Sequence, residues 1–297
     1  MTHTLDAHDI AAFGVDRRAQ FITFYIDSDS DGDADTDADT DDVSASAFTA
    51  TFASASTSID VRHTTKDEER PSALYRKQRR RPSSVVTVAQ NRDSDIAVDP
   101  TARWVWDACP KLCKHLCSKD VARTIRGKRV IELGAGTGLP GLVCARLGAK
   151  SVTLTDLPSE LDLLRANAER NALLGVGIGA QSDEDCVVDV RACAWGELEN
   201  FAEDAKFDIV LVSDVLYHQP VSVMRALAET MRALVREDGG IVYFAYHFRE
   251  NLIHDAHFFE LIDKTFAETR RVFEENADAD ENIWLIEYMP KPTHERT

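Results

Sequence analysis

The most constraining stretch of the chain is Arg129-Val-Ile-Glu-Leu133, followed at once by Gly134-Ala135-Gly136-Thr137-Gly138 and then by Leu139 to Leu147. The first run is apolar and β-branched, as a buried strand is, and a helical apolar period resumes directly after the glycines. A strand that passes through glycines into a helix is the opening turn of a βαβ unit. Glycines there let the backbone turn sharply and approach a ligand with no Cβ in the way. The alternation continues downstream. Ser151–Asp156 reads as a strand, Glu160 to Leu174 as a helix, and Val187 to Ala194 and Phe207 to Ser213 as further strands. A helix over Val221 to Val235 and a strand over Gly240 to Tyr246 follow, then a helix near Asp255 to Thr265. Strands alternating with helices of this length specify an α/β fold with a mostly parallel sheet and helices on both faces. The chain closes with Arg270–Phe273 and Ile283–Tyr288, separated only by the polar stretch Glu274 to Asn282, which predicts an antiparallel hairpin.

Upstream of this pattern the character changes. Residues 1–84 read as a low-complexity, largely disordered N-terminal region, residues 85–290 as the folded α/β domain, and residues 291–297 as a tail. Within the N-terminal region, Phe21–Ile26 is a candidate strand. From Asp27 to Asp42 aspartate alternates with Ser, Ala, Thr and Gly, a tract too charged to bury a core. Its start matches the front of a calcium loop, but Ala38 falls where that loop needs a bidentate Glu, so no metal site is expected. The basic cluster Arg76 to Arg81 suits nuclear import, contact with an acidic partner, or a solvated run facing the acidic tract. Val85–Val88 then reads as a strand, and Trp104 to Leu116 as an aromatic entry into an amphipathic helix.

The net charge of −17 argues against a protein that clamps a nucleic-acid backbone. No apolar run approaches the roughly 20 residues needed to cross a bilayer. The N-terminus lacks a basic segment followed by an apolar core, so a cytoplasmic place, with the nucleus as the alternative, is the expectation. The cysteines show no zinc spacing and read as buried thiols.

The glycine loop carries the chemistry. A dinucleotide fingerprint needs Gly-x-Gly-x-x-Gly, yet here Gly138 comes one residue early. Glu132, just before the loop, is awkward for a pyrophosphate but can accept hydrogen bonds from an ammonium-bearing ligand. Both details favour S-adenosylmethionine over NAD. Asp156 ends the next strand, about twenty positions on, where an acidic residue receives the ribose hydroxyls; a helix N-cap is the other reading. Trp195 follows the third core strand and either lies against adenine or packs in the interior. Ser213-Asp214-Val-Leu-Tyr217 closes the fourth. Ligands in open α/β sheets bind beyond the carboxyl ends of the strands, so these groups converge on one crevice.

With these residues in hand, the sequence resembles the seven-β-strand protein lysine methyltransferases, the methyltransferase-like 21 type. The resemblance rests on Val105-Trp106-Asp-Ala, on Val130 to Gly141, on Thr155-Asp156, on Trp195-Gly196 and on the Asp-x-x-Tyr run Asp214 to Tyr217. It implies a Rossmann-like seven-stranded sheet and S-adenosylmethionine as cofactor. It implies cofactor contacts from Trp106, Gly134, Ala135, Gly136, Asp156, Trp195 and Ser213, the last an alanine in much of the family. Asp214 and Tyr217 would line the channel for an acceptor nitrogen. The expected reaction is methyl transfer to the lysine amine of a protein partner by a monomeric enzyme. The alternatives are a small-molecule, nicotinamide-type N-methyltransferase and a silent fold kept for binding. His218 and His247 read as ordinary, partly exposed histidines.

Overall fold

The computed structural model describes residues 3–5, 21–26, 50–53, 84–90, 100–175, 186–202, 205–217, 219–248, 252–272 and 283–292. The acidic tract, the basic cluster and His218 lie outside the described residues. Four short strands precede the core: β1 (His3–Leu5), β2 (Phe21–Ile26), β3 (Ala50–Ala53) and β4 (Ser84–Ala89). They pair antiparallel in the order β1-β3-β2-β4. The candidate strand at Phe21–Ile26 is thus a strand, paired along its whole length with β4.

The main body follows in the order α1 (Ala108–Cys117), α2 (Lys119–Ile125), β5 (Arg129–Leu133), α3 (Leu139–Arg146), β6 (Ser151–Asp156), α4 (Leu161–Gly175) and β7 (Val187–Ala192). Then come β8 (Ile209–Ser213), α5 (Val221–Leu234), β9 (Ile241–His247), α6 (Leu252–Thr265), β10 (Phe266–Val272) and β11 (Ile283–Pro290). The main sheet has the order β10-β11-β9-β8-β5-β6-β7. Its centre is parallel, and β11 runs antiparallel between β9 and β10. The sheet is therefore the seven-stranded, mostly parallel one expected, with its antiparallel hairpin at the end. β1 and β3 pair within the region read as largely disordered, and two elements of the main body also differ from expectation. The short helix α2 has no extended apolar period to announce it, and β10 begins at Phe266, directly after α6, with a bulge between Glu268 and Arg270 that interrupts its alternation.

Alternation along the strands divides the interior into two halves. Val130, Ile209, Leu211, Tyr243 and Ala245 pack toward α1, α3 and α4, whereas Ile131, Leu133, Val210, Val212, Val242 and Phe244 pack toward α5 and α6. On α5 the buried residues Met224, Leu227, Ala228, Met231 and Leu234 recur at helical spacing. Each large side chain of this kind contributes about 1.5–3 kcal/mol when fully buried. The cysteines fit the same picture. Cys109, Cys113, Cys144 and Cys193 are buried, Cys117 and Cys186 partly so, and burial pushes the Cys117 thiol up to about 12.

Two buried asparagines one turn apart on α4 fasten β4 to the main body. Asn171 accepts from the Thr87 N–H at 3.0 Å and donates to the Thr87 carbonyl at 2.8 Å. Asn167 does the same for Ala89, at 2.7 and 3.1 Å, and also donates to the Thr137 carbonyl in the glycine loop at 3.0 Å. Each amide plays the part of a strand neighbour, so β4 is held at a fixed height against the loop. The next residue, Gln90, accepts from the Val105 N–H at 2.8 Å, which fixes the segment leading to Trp106. Replacing Asn171 with Ala removes both Thr87 bonds and is expected to lower stability by about 1–3 kcal/mol. Urea unfolding measures this; Arg165→Ala, which breaks only an exposed ion pair with Asp162, should stay within about 0.5 kcal/mol of wild type.

Candidate functional site

The glycine loop crosses from β5 to α3 in a conformation that side chains rarely adopt. Gly134 and Gly136 have φ of 64° and 52°. A Cβ on Gly136 would sit 2.7 Å from the Ala102 carbonyl oxygen, and one on Gly134 would sit 3.0 Å from Val215 and 3.1 Å from the Trp195 ring. The Ala102 backbone and the Val215 and Trp195 side chains therefore close on this turn, and only glycine fits both positions.

The loop is tied to the end of β6. The Ala135 N–H donates to the Thr155 carbonyl at 2.8 Å, and the Gly136 N–H donates to Asp156 Oδ2 at 2.7 Å. Asp156 Oδ1 accepts from the Leu157 N–H at 2.7 Å. Burial lifts the Asp156 carboxyl above the usual carboxylate range, while these two N–H bonds pull it back down. Asp156 thus does not cap α4. It anchors the loop, and a carboxylate with two lone pairs per oxygen keeps acceptor capacity for sugar hydroxyls.

Glu132 occupies a different place from the one its sequence position suggested. Strand alternation sends its side chain to the same face as Val130, beneath α3. It is 2% exposed, and its Oε2 accepts from the Gly141 N–H at 2.8 Å. Burial, opposed by the Gly141 bond and reinforced by Asp156, pushes its carboxyl up to about 8. A group of this kind is largely neutral at pH 7 and braces the loop from below.

The opposite wall comes from β8 and β9. Ser213 ends β8, and its Oγ is a buried atom with no hydrogen-bond partner among the described residues. Asp214, 6% exposed, has φ of 57°, the single positive φ among described residues other than glycine. Its N–H donates to the Ala245 carbonyl at 2.8 Å, and its Oδ1 accepts from the His247 N–H at 3.4 Å. Tyr217 is 40% exposed, and its ring lies 5.7 Å from that of Trp106. Trp195, half-buried, has its ring edge at Gly134. The glycine loop, Asp156, Trp195, Ser213, Asp214 and Tyr217 therefore lie at the carboxyl ends of the parallel strands, with Trp106 against Tyr217 and Glu132 beneath α3.

Sequence reasoning passed over two kinds of residue here. His247 ends β9 at the same edge of the sheet, with its imidazole 3.9 Å from Asp107; a polar residue closing an apolar strand at its carboxyl end was the available signal. Arg103 and Glu160 form a largely buried pair at 3.3 Å, tying the segment before Trp106 to the turn after Asp156. No three-residue metal-binding group occurs among the described residues, and no helix there is long and apolar enough to cross a membrane.

Comparison with known proteins gives a consistent result. Residues 86–265 match a family model described as lysine methyltransferase. The chain is 39% identical over 134 residues to protein N-lysine methyltransferase METTL21A of Danio rerio, covering 45% of this chain and 56% of that one. It is 34% identical over 183 residues to EEF1A lysine methyltransferase 3 of Mus musculus, covering 61% and 69%. To METTL21A of Mus musculus it is 31% identical over 175 residues, covering 59% and 72%. The match thus spans a little over half of the zebrafish relative's length.

The Glu132 carboxyl makes a pH prediction. Its value in the fold, about 8, lies above its ordinary 4.5. Between those limits the unfolded chain releases a proton that the folded chain keeps, so stability falls as the pH rises. Glu132→Gln removes this contribution. In urea unfolding at pH 5.5 and at pH 8, the variant should lose less stability than wild type over that interval; equal slopes would show that Glu132 is ionised throughout.

Proposed function

Because this chain belongs to the lysine methyltransferase family, we propose that it transfers a methyl group from S-adenosylmethionine to a lysine side-chain amine of a protein. The observation that carries this reading is Asp214. A buried carboxylate held in the left-handed region costs on the order of 1–3 kcal/mol, and such conformations concentrate where a site needs them. It closes a core strand beside Tyr217 and Trp106, across the crevice from the glycine loop.

The residues fit the cofactor. The Gly134–Gly136 turn suits the methionine end because its only side chain is the buried Ala135 methyl, and Asp156 has acceptor capacity for the ribose hydroxyls. Trp195 and Trp106 offer faces to the adenine and the methionine chain. The Ser213 hydroxyl, without a hydrogen-bond partner among the described residues, suits a polar edge of the ligand, since an unpaired buried group is costly. When bound, S-adenosylmethionine supplies an electrophilic methyl on a sulfonium, which is displaced in line by an amine. That displacement requires no nucleophile from the protein, so the residues act by alignment, which is worth several kcal/mol.

The acceptor lysine arrives as an ammonium with an unperturbed pKa of about 10.4 and must lose a proton first. Asp214 attracts and orients the ammonium, Tyr217 holds the nitrogen so that its lone pair faces the methyl, and burial between the rings disfavours the charged form. The proton leaves to solvent.

Asp214→Asn tests this reading with little backbone disturbance, because asparagine tolerates a positive φ. Incubated with methyl-labelled cofactor and a lysate from its own source, wild type should label a protein band. The variant should label it at least about 100-fold more slowly while still binding S-adenosylhomocysteine. Label appearing only in small molecules, or near-full activity of the variant, would overturn the assignment.

A further inference from the structure

We propose that Asp107 and His247 form a positioning pair that fixes Asp214 for the acceptor amine and ties it to the wall carrying Trp106; this rests on the lysine-acceptor reading above. Asp107 precedes α1, a place where an aspartate ordinarily caps the helix, yet its side chain makes no cap bond. Its Oδ2 lies instead 3.9 Å from Nδ1 of His247, within ion-pair range of a protonated imidazole. Alternation along β9 explains the meeting: Tyr243 and Ala245 face the half of the core that includes α1, and His247 continues that face.

The backbone of His247 is one of two anchors that β9 gives to Asp214. Its N–H donates to Asp214 Oδ1 at 3.4 Å, and the Ala245 carbonyl accepts from the Asp214 N–H at 2.8 Å. A left-handed aspartate persists only where its surroundings over-determine it, and here those surroundings are the last turn of β9. From Asp214 the chain runs three residues to Tyr217, whose ring lies 5.7 Å from Trp106, and Trp106 is bonded covalently to Asp107. The contacts therefore close a ring: Asp214, His247, Asp107, Trp106, Tyr217 and back to Asp214. Within it the Asp107–His247 approach joins the start of α1 to the end of β9 through side chains. Breaking it removes the side-chain tie between the start of α1 and the strand end that anchors Asp214, while leaving the glycine loop, Asp156 and the anchors of the Trp106 backbone untouched.

The acceptor protein is not required for the test. The full-length protein, loaded with S-adenosylhomocysteine, is titrated with n-butylammonium chloride as a mimic of the lysine terminus and with 1-butanol as its uncharged counterpart, and binding is followed by NMR. Wild type should bind the cation and not the alcohol. Asp107→Asn and His247→Gln should each weaken cation binding at least about fivefold. The double variant should be no weaker than either single one, because the two act as a unit, and Asp107→Glu should recover part of the loss. Affinity for S-adenosylhomocysteine and the Tm should stay near wild type in all variants. Unchanged cation binding in Asp107→Asn or in His247→Gln would overturn the pair's role, as would a parallel loss of S-adenosylhomocysteine affinity. A wild type that takes up S-adenosylhomocysteine but not the cation would overturn the lysine-acceptor reading itself.

Discussion

A backbone amide at Gly136 and a carboxylate at Asp156 can come within 2.7 Å only if the chain between β5 and α3 turns with no side chain in the way. That single contact sets the geometry of everything around it. It brings the ends of two neighbouring parallel strands together, and it lets the Ala102 carbonyl settle over the loop from above. From below, Glu132 holds the first turn of α3 through the Gly141 N–H. The loop is thus gripped on three sides by hydrogen bonds and close packing, a preorganised cradle rather than a flexible flap. Its energetic cost, positive φ and buried carboxyls, is met by the core on both faces of the sheet.

The elements outside the sheet serve to cover this cradle. Asn167 and Asn171 hold β4 against α4, Gln90 passes that order to Val105, and Arg103 pairs with Glu160 just beyond the Asp156 turn. Four separate polar contacts thereby fix the segment that ends in Trp106. A tryptophan held this way presents a face to the crevice at low entropic cost, because its backbone is already ordered. The aromatic side of the site is therefore built from the N-terminal flank, and the carboxylate side from the strand ends.

Much of this was legible in the residues. The glycine spacing, Asp156 at the next strand end and the Asp214 to Tyr217 run all sit at the carboxyl ends of core strands as read, since each depends on local backbone rules that a sequence displays. The strands β5 and β6 were readable to the residue because their apolar runs are bounded by glycine or aspartate. What was missed depended on which way a side chain points or on partners far away in the chain. Glu132 looked like a ligand acceptor until alternation with Val130 put it under α3. Nothing in the sequence singles out Asn167 and Asn171, because their partners, Ala89 and Thr87, lie about eighty residues upstream. His247 looked like a strand-end histidine, and only the arrival of α1 gives it Asp107. The β10 boundary was blurred by the bulge after Glu268, which breaks the period of two.

The central claim is that the turn after β5 and the carboxylate closing β6 together hold a sulfonium nucleoside. Calorimetric titration of the folded protein with S-adenosylhomocysteine tests it most directly, alongside Asp156→Ala. The account predicts saturable uptake at one site per chain by wild type and its loss in the variant. A well-folded wild type that takes up none, or a variant that binds as tightly, would contradict it.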